Sequence, residues 1–164
     1  MRTTLDPATS RALRLEIEDF NAEYCAALDE DRLAEWPDFF TEYATYRITA
    51  RENADAGLPV GLVYCEGMGM LKDRVFALLN TAMYAPRTLL HQVSNTRILD
   101  VADGLITARS TYLVLQTLVD EKTTIHQAGR YFDVFARVDG RLRLKQRDCV
   151  YDTSLIDNSL VLPV

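Results

Sequence analysis

The sequence predicts an α+β domain in which N-terminal helices cover one face of a curved sheet. Three observations carry that prediction. Leu13, Ile17, Phe20, Tyr24 and Leu28 recur at steps of three or four, the spacing of one buried helix face. Residues 88–152 form an almost unbroken series of long strand-like runs. The connections between those runs, Asp103-Gly104 and Asp139-Gly140 among them, are too short for anything but antiparallel neighbours.

Asp6-Pro7 reads as an N-cap followed by proline at the first helical position, so the first helix starts there. Asp29, Glu30 and Asp31 interrupt its pattern. Residues 32–40 (RLAEWPDFF) then suggest a short second helix broken near Trp36-Pro37, because a residue before proline is pushed away from helical angles. Trp36, Phe39 and Phe40 are expected to plug one end of the core. Residues 43–49 and 60–66 read as strands, separated by a polar loop over 50–59 that carries Arg51, Glu52, Asn53 and Asp55. From Met68 the spacing turns helical again through Leu71, Val75, Leu78, Leu79 and Ala82, ending before Pro86. Strands follow over 88–101, 105–118, 123–138 and 142–152. Both Asp-Gly pairs suit the positive-φ positions of tight hairpins.

With 164 residues, 48% of them hydrophobic, one core and a single domain over 1–164 are expected. The 18 Lys and Arg against 24 Asp and Glu give a net charge of −6, with no basic block to neutralise phosphates or anionic lipids. Neither nucleic acid nor a membrane is an expected partner. The N-terminus lacks the apolar stretch of a signal peptide, and no run approaches the roughly 18 apolar residues of a membrane span, so a cytoplasmic location is expected. Cys25, Cys65 and Cys149 are odd in number and set among apolar residues, which suits buried reduced thiols.

A Rieske cluster needs two Cys and two His ligands, and a mononuclear iron site needs two His and a carboxylate. The chain has only His91 and His126 and no C-x-H or C-x-x-H pairing, so no metal, cofactor-binding or catalytic residue is assigned to it. His91 falls in alternation with Leu89, Val93, Asn95 and Arg97, and His126 with Ala128, Arg130 and Phe132. Each suits a hydrogen-bonded structural histidine. The alternative is a general base, with Tyr112, Tyr131 and Asp133 completing a dehydratase or isomerase set. Arg143, Lys145 and Arg147 alternate with Leu142 and Leu144, giving a basic strand face that is either solvated or used in subunit contacts.

Trp36-Pro37-Asp38-Phe39-Phe40, Tyr46-Arg47-Ile48, Arg51-Glu52-Asn53, Gly57-Leu58-Pro59, Asp73-Arg74, Ser94-Asn95-Thr96-Arg97, residues 144–152 and the C-terminal NSLVLPV occur in an order that resembles the small (β) subunit of Rieske-type aromatic-ring-hydroxylating oxygenases. The likeness spans nearly the whole chain. It is strongest, through WPDFF, REN…GLP and CVYDTSLIDNSL, to members such as salicylate 5-hydroxylase and terephthalate dioxygenase that act on carboxylated or hydroxylated arenes.

The resemblance implies a cone of strongly curved mixed sheet packed against N-terminal helices, the cystatin-like or scytalone-dehydratase-like fold. It also implies a non-catalytic chain that self-associates as β3 beneath the large (α) subunits of an α3β3 oxygenase. There the α subunit holds the 2Fe-2S Rieske cluster and the mononuclear iron, and a reductase and ferredoxin supply NAD(P)H electrons. Asn95, Arg97, Arg130, Asp133 and Arg147 are then the expected subunit contacts, with Arg97→Ala and Arg147→Ala weakening assembly while sparing the fold. A stand-alone dehydratase or isomerase, or a small-ligand-binding module, are the rival readings.

Overall fold

The structure, a computed structural model, describes residues 5–156 and 160–164. Asn158 and Ser159 of the NSLVLPV segment lie outside the described residues. Helix α1 spans Pro7–Asp29, and the Asp6 side chain caps it by accepting from the Ala8 and Thr9 backbone N–H groups at 2.9 and 3.1 Å. A 3-10 helix, Leu33–Phe39, runs straight through Pro37 rather than breaking there. Strand β1 is Phe40–Ala50, and the segment expected to be a loop opens with a single helical turn, α2, Arg51–Asp55. Then come β2 (Val63–Glu66), α3 (Gly67–Asn80), β3 (Arg87–Ala102), β4 (Leu105–Leu118), β5 (Thr124–Val138) and β6 (Arg141–Tyr151).

The six strands form one mixed, open sheet in the order β2-β1-β6-β5-β4-β3. The antiparallel run from β3 to β6 is the meander that the short turns require, and Asp103-Gly104 and Asp139-Gly140 all take positive φ. β6 closes the meander by lying parallel to β1, a pairing that no local turn signal marks. Helix α1 packs across β3, and the 3-10 helix and α3 pack on β1. Leu13, Ile17, Tyr24 and Leu28 are buried along the α1 stripe, so the helical spacing identified the covered face.

The aromatic residues of the 3-10 helix close one end of the core as expected. Trp36 is fully buried, meets Phe40 and Tyr46 edge-on with ring centroids 5.1 and 5.0 Å apart, and donates from Nε1 to the Tyr24 hydroxyl at 2.9 Å. All three cysteines are free and buried.

Register slips in β1, β3, β5 and β6 bend the sheet, and those in β3, β5 and β6 decide what faces inward around the site. In β3 the pairing jumps from Ser94↔Thr111 to Arg97↔Arg109, with Asn95 at φ 54°. In β5 the residue passed over is His126, and in β6 it is Lys145. Each slip reverses the alternation downstream. Asn95 and Arg97 therefore leave the face that holds His91, and Thr96 turns inward in their place. Likewise Arg147 leaves the face that holds Arg143 and Lys145 and becomes fully buried.

Candidate functional site

On the inner face the registers set side chains in rows across the strands. His91, Val114 and Gln127 make one row, Ser110, Tyr131, Cys149 and Ile48 a second, and Ala108, Asp133, Arg147 and Tyr46 a third. Arg147 is the centre of the third. Its Nε and Nη2 each donate to Asp133 at 2.9 Å, and Nη2 also donates to the Asn21 Oδ1 at 2.6 Å. The guanidinium is sandwiched between the rings of Tyr131 and Tyr24, 4.0 and 4.3 Å from their centroids.

Neither side chain of the Arg147–Asp133 pair has any exposed surface. Burial works against the Arg147 charge, but the Asp133 carboxylate and its hydrogen bonds hold the arginine pKa well above its ordinary value. Burial also pushes the Asp133 carboxyl up, against the pull of Arg147. The bidentate geometry is that of an ionised pair. Burial raises the hydroxyls of Tyr24, Tyr46, Tyr112 and Tyr131, so all four stay protonated as hydrogen-bonding groups. Tyr24 and Tyr46 donate to the Val164 carbonyl at 3.1 and 3.0 Å, and the Val164 N–H donates back to Tyr46 at 2.9 Å. The segment 160–164 thus fills the core beside the arginine.

The expectation that Asp133 and Arg147 touch a neighbouring subunit is corrected by this geometry. The slip at Lys145 aims Arg147 inward, where its partners belong to its own chain. Asn95 and Arg97 are exposed and Arg130 is half-buried. These three lie on the outer face. There the registers align Arg97, Arg109, Phe132, Asp148 and Arg47 in a row across five strands. Arg47 pairs with Asp148 at 3.0 Å, while Arg130 and Arg51 share Asp152 at 2.9 and 2.7 Å.

Of the set proposed for a general base, Tyr112, Tyr131 and Asp133 come close around Arg147, but His91 turns to α1. His91 pairs with Asp29 of α1, its Nδ1 2.6 Å from Oδ1, rather than with Asp133. Tyr112 donates to Gln127 and stacks on Tyr131 at 4.4 Å, and His126 lies buried at its bulge. Sequence reasoning missed Asn21 and Asp29. Asn21 did carry a signal, as a polar residue on the buried stripe between Ile17 and Tyr24. Cys25, Cys65 and Cys149 sit on α1, β2 and β6, and no three His, Cys, Asp or Glu side chains meet as a metal site among the described residues. These residues do not fit an iron–sulfur cluster or a mononuclear iron. No described helix is long and apolar enough to cross a membrane.

Helices on the covered face of an open mixed sheet define the class, and a SnoaL-like domain model matches residues 9–148. A scytalone dehydratase assignment from Novosphingobium aromaticivorans, 21% identical over 89% of each chain with a TM-score of 0.68, shares that fold. The finer family comes from nearer relatives. The anthranilate 1,2-dioxygenase small subunit of Burkholderia cepacia is 41% identical over 91% of this chain and 92% of its own length. A terephthalate 1,2-dioxygenase terminal oxygenase β subunit of Comamonas sp. is 32% identical over 92% and 97%. The crystal structure of a β subunit assigned to an aromatic-ring-hydroxylating dioxygenase of N. aromaticivorans superposes with a TM-score of 0.87 at 39% identity, covering 95% of this chain and 99% of that one. The chain belongs to the small subunits of aromatic-ring-hydroxylating dioxygenases.

Proposed function

We propose that this chain is the non-catalytic β subunit of an α3β3 ring-hydroxylating oxygenase, and that its task is to hold the complex together. The observation that carries this reading is the Arg147 cluster. Asp133, Tyr24, Tyr46 and the Nε and Nη2 of Arg147, polar groups that a pocket enzyme would turn toward substrate, are here committed to one another, to Asn21 and to residues 160–164. The 2Fe-2S Rieske cluster and the mononuclear iron then reside on the α subunit, fed with NAD(P)H electrons through a reductase and a ferredoxin. The outer face supplies the contacts. Arg97, Arg109, Phe132, Asp148 and Arg47 form an arginine-rich row with an exposed ring at its centre, flanked by Asn95 and Arg130, and arginine with aromatic residues is the composition favoured at interfaces.

Relatives named for anthranilate and terephthalate support a carboxylated arene as the substrate of the complex, with salicylate, a hydroxylated benzoate, in the same chemical class. Co-expression with the large subunit tests the assignment. The expected product is one species with three copies of each chain, its iron and acid-labile sulfide remaining with the large subunit after the chains are separated. A chain that stays monomeric beside its large subunit, or that carries stoichiometric iron itself, overturns the proposal.

A further inference from the structure

Residues 160–164 (LVLPV) pack against the core while belonging to no helix or strand. Among the described residues, every hydrogen bond that ties them to the rest of the chain uses a side chain of the body. The Tyr24 and Tyr46 hydroxyls and the Cys149 thiol donate to the Val164 carbonyl at 3.1, 3.0 and 3.6 Å, and the Val164 N–H donates to the Tyr46 hydroxyl at 2.9 Å. Arg74 Nη2 donates to the Val161 carbonyl at 3.1 Å. These side chains come from α1, β1, β6 and α3. β1 pairs with β6, α3 packs on β1, and α1 joins them through the 3-10 helix, so the walls around the segment are tied together by contacts that do not involve it.

What the walls recognise is backbone, two carbonyls three residues apart and one N–H. Leu160, Val161 and Leu162 lie partly buried against the core, and Pro163 and Val164 are buried. Proline suits this place twice. It fixes its own φ and keeps Leu162 extended, which reduces the chain entropy lost on docking, and it brings no N–H into a buried position. Fixed donors on backbone acceptors, with apolar side chains against an apolar wall, are the means by which proteins bind extended peptides. Undocking breaks only these contacts, so it is a local opening and not an unfolding of the sheet.

We propose that the hole bounded by Tyr24, Tyr46, Arg74 and Cys149 is a binding site for an extended apolar peptide, occupied by residues 160–164 as an exchangeable resident ligand. Release leaves the tyrosine hydroxyls and Arg74 as buried donors without their acceptors, which selects a replacement carrying carbonyls at the same spacing. The same segment of a second copy meets that requirement, so it is the occupant assigned to the vacated site. The site faces the inner side of the sheet, apart from the outer arginine row, and does not depend on the α3β3 reading.

Amide exchange in the full chain and peptide binding to a shortened one test the proposal. In the full chain the Val164 amide is expected to exchange at least about tenfold faster than the Tyr131 and Phe135 amides of β5, at a rate that low urea leaves unchanged, the mark of a local opening. Exchange of Val164 at the β5 rate and with the β5 urea dependence would show that the segment leaves only on global unfolding, and overturns the proposal. The 15N-labelled chain lacking 160–164 is expected to bind acetyl-LVLPV, the stand-in for a second copy's segment, with saturable shifts centred on Tyr24, Tyr46, Arg74 and Cys149. Acetyl-LVLAV, which buries an N–H where proline has none, should bind at least about tenfold more weakly. A folded shortened chain that ignores acetyl-LVLPV, or that takes acetyl-LVLAV equally well, also overturns the proposal. If the shortened chain does not fold, the exchange rates of the full chain decide.

Discussion

At the scale of single residues, Arg147 is a test of what a buried charge does. Its guanidinium meets Asp133, Asn21 and two tyrosine rings and has no exposed surface. Arg147→Ala leaves the Asp133 carboxylate enclosed and uncompensated. It is predicted to cost about 3–5 kcal/mol of folding stability, measured by urea unfolding. Arg147→Met combined with Asp133→Leu removes both charges and should recover much of that loss. An Arg147→Ala chain as stable as the parent would return this residue to the interface role that strand alternation suggested. Arg97→Glu, on the exposed outer row, should leave unfolding unchanged within about 0.5 kcal/mol and weaken assembly instead.

Cys25 gives a pH-dependent prediction at the same scale. Burial pushes its thiol up to about 12, partly offset by Arg147. At pH 8 the thiolate is then on the order of one part in ten thousand. Reaction with a disulfide reagent should be slow and should rise about tenfold per pH unit up to pH 10 without a plateau. A plateau below pH 9 would show an ordinary, accessible thiol.

At the scale of elements, the hydrophobic spacing was enough to find α1, α3 and the four-strand meander within a residue or two of their ends. What alternation did not reveal was which way the side chains face beyond a slip. One extra residue reverses every later position, and the effect is invisible unless the slip itself is recognised. The marks were present in hindsight. The run Lys145-Gln146-Arg147-Asp148 breaks the Leu142, Leu144 alternation with four successive polar residues, and Ser94-Asn95 places an Asn where a positive φ is tolerated. The parallel β1·β6 pairing has no local signature, because two strands far apart in sequence meet only once the core has formed. The Arg147 cluster depends on both features and so was not legible.

Two glycines separate close approach from turn chemistry. A Cβ on Gly129 would lie 2.2 Å from the Val150 carbonyl oxygen, forcing β5 and β6 apart, so Gly129→Ala is predicted to cost about 2–3 kcal/mol. Gly140, at φ 77° in open space, should lose only about 1 kcal/mol on the same change. Urea unfolding of the two variants side by side checks the order, and equal losses would contradict the packing of these strands. Between α1 and β5, the exposed Glu16–Arg137 pair holds the Glu16 carboxyl below its usual range through the arginine hydrogen bonds. A lowered carboxyl stabilises the fold above its unfolded pKa and loses that contribution as pH falls through the lowered value. With both side chains about half-exposed, Arg137→Ala should cost only about 0–1 kcal/mol near neutral pH and nothing in strong acid.

At the scale of the whole molecule, the two faces of the sheet divide the labour. The inner face is packed by α1, the Arg147 cluster and residues 160–164, while the outer face presents a row of arginines around an exposed Phe132. This division suits the proposed role, in which the chain contributes shape and contacts to a complex and the redox chemistry lies on the large subunit. Turnover per assembled complex measures that division most directly. His126→Gln and Tyr112→Phe, the substitutions that would disable a general base and its tyrosine, are compared with the parent after separating intact complex from free chains. Substrate oxidation per mole of large subunit is predicted to stay within about twofold of the parent, with any loss confined to the yield of complex. A fall of about a thousandfold in fully assembled complex would contradict the account and place catalytic chemistry on this chain.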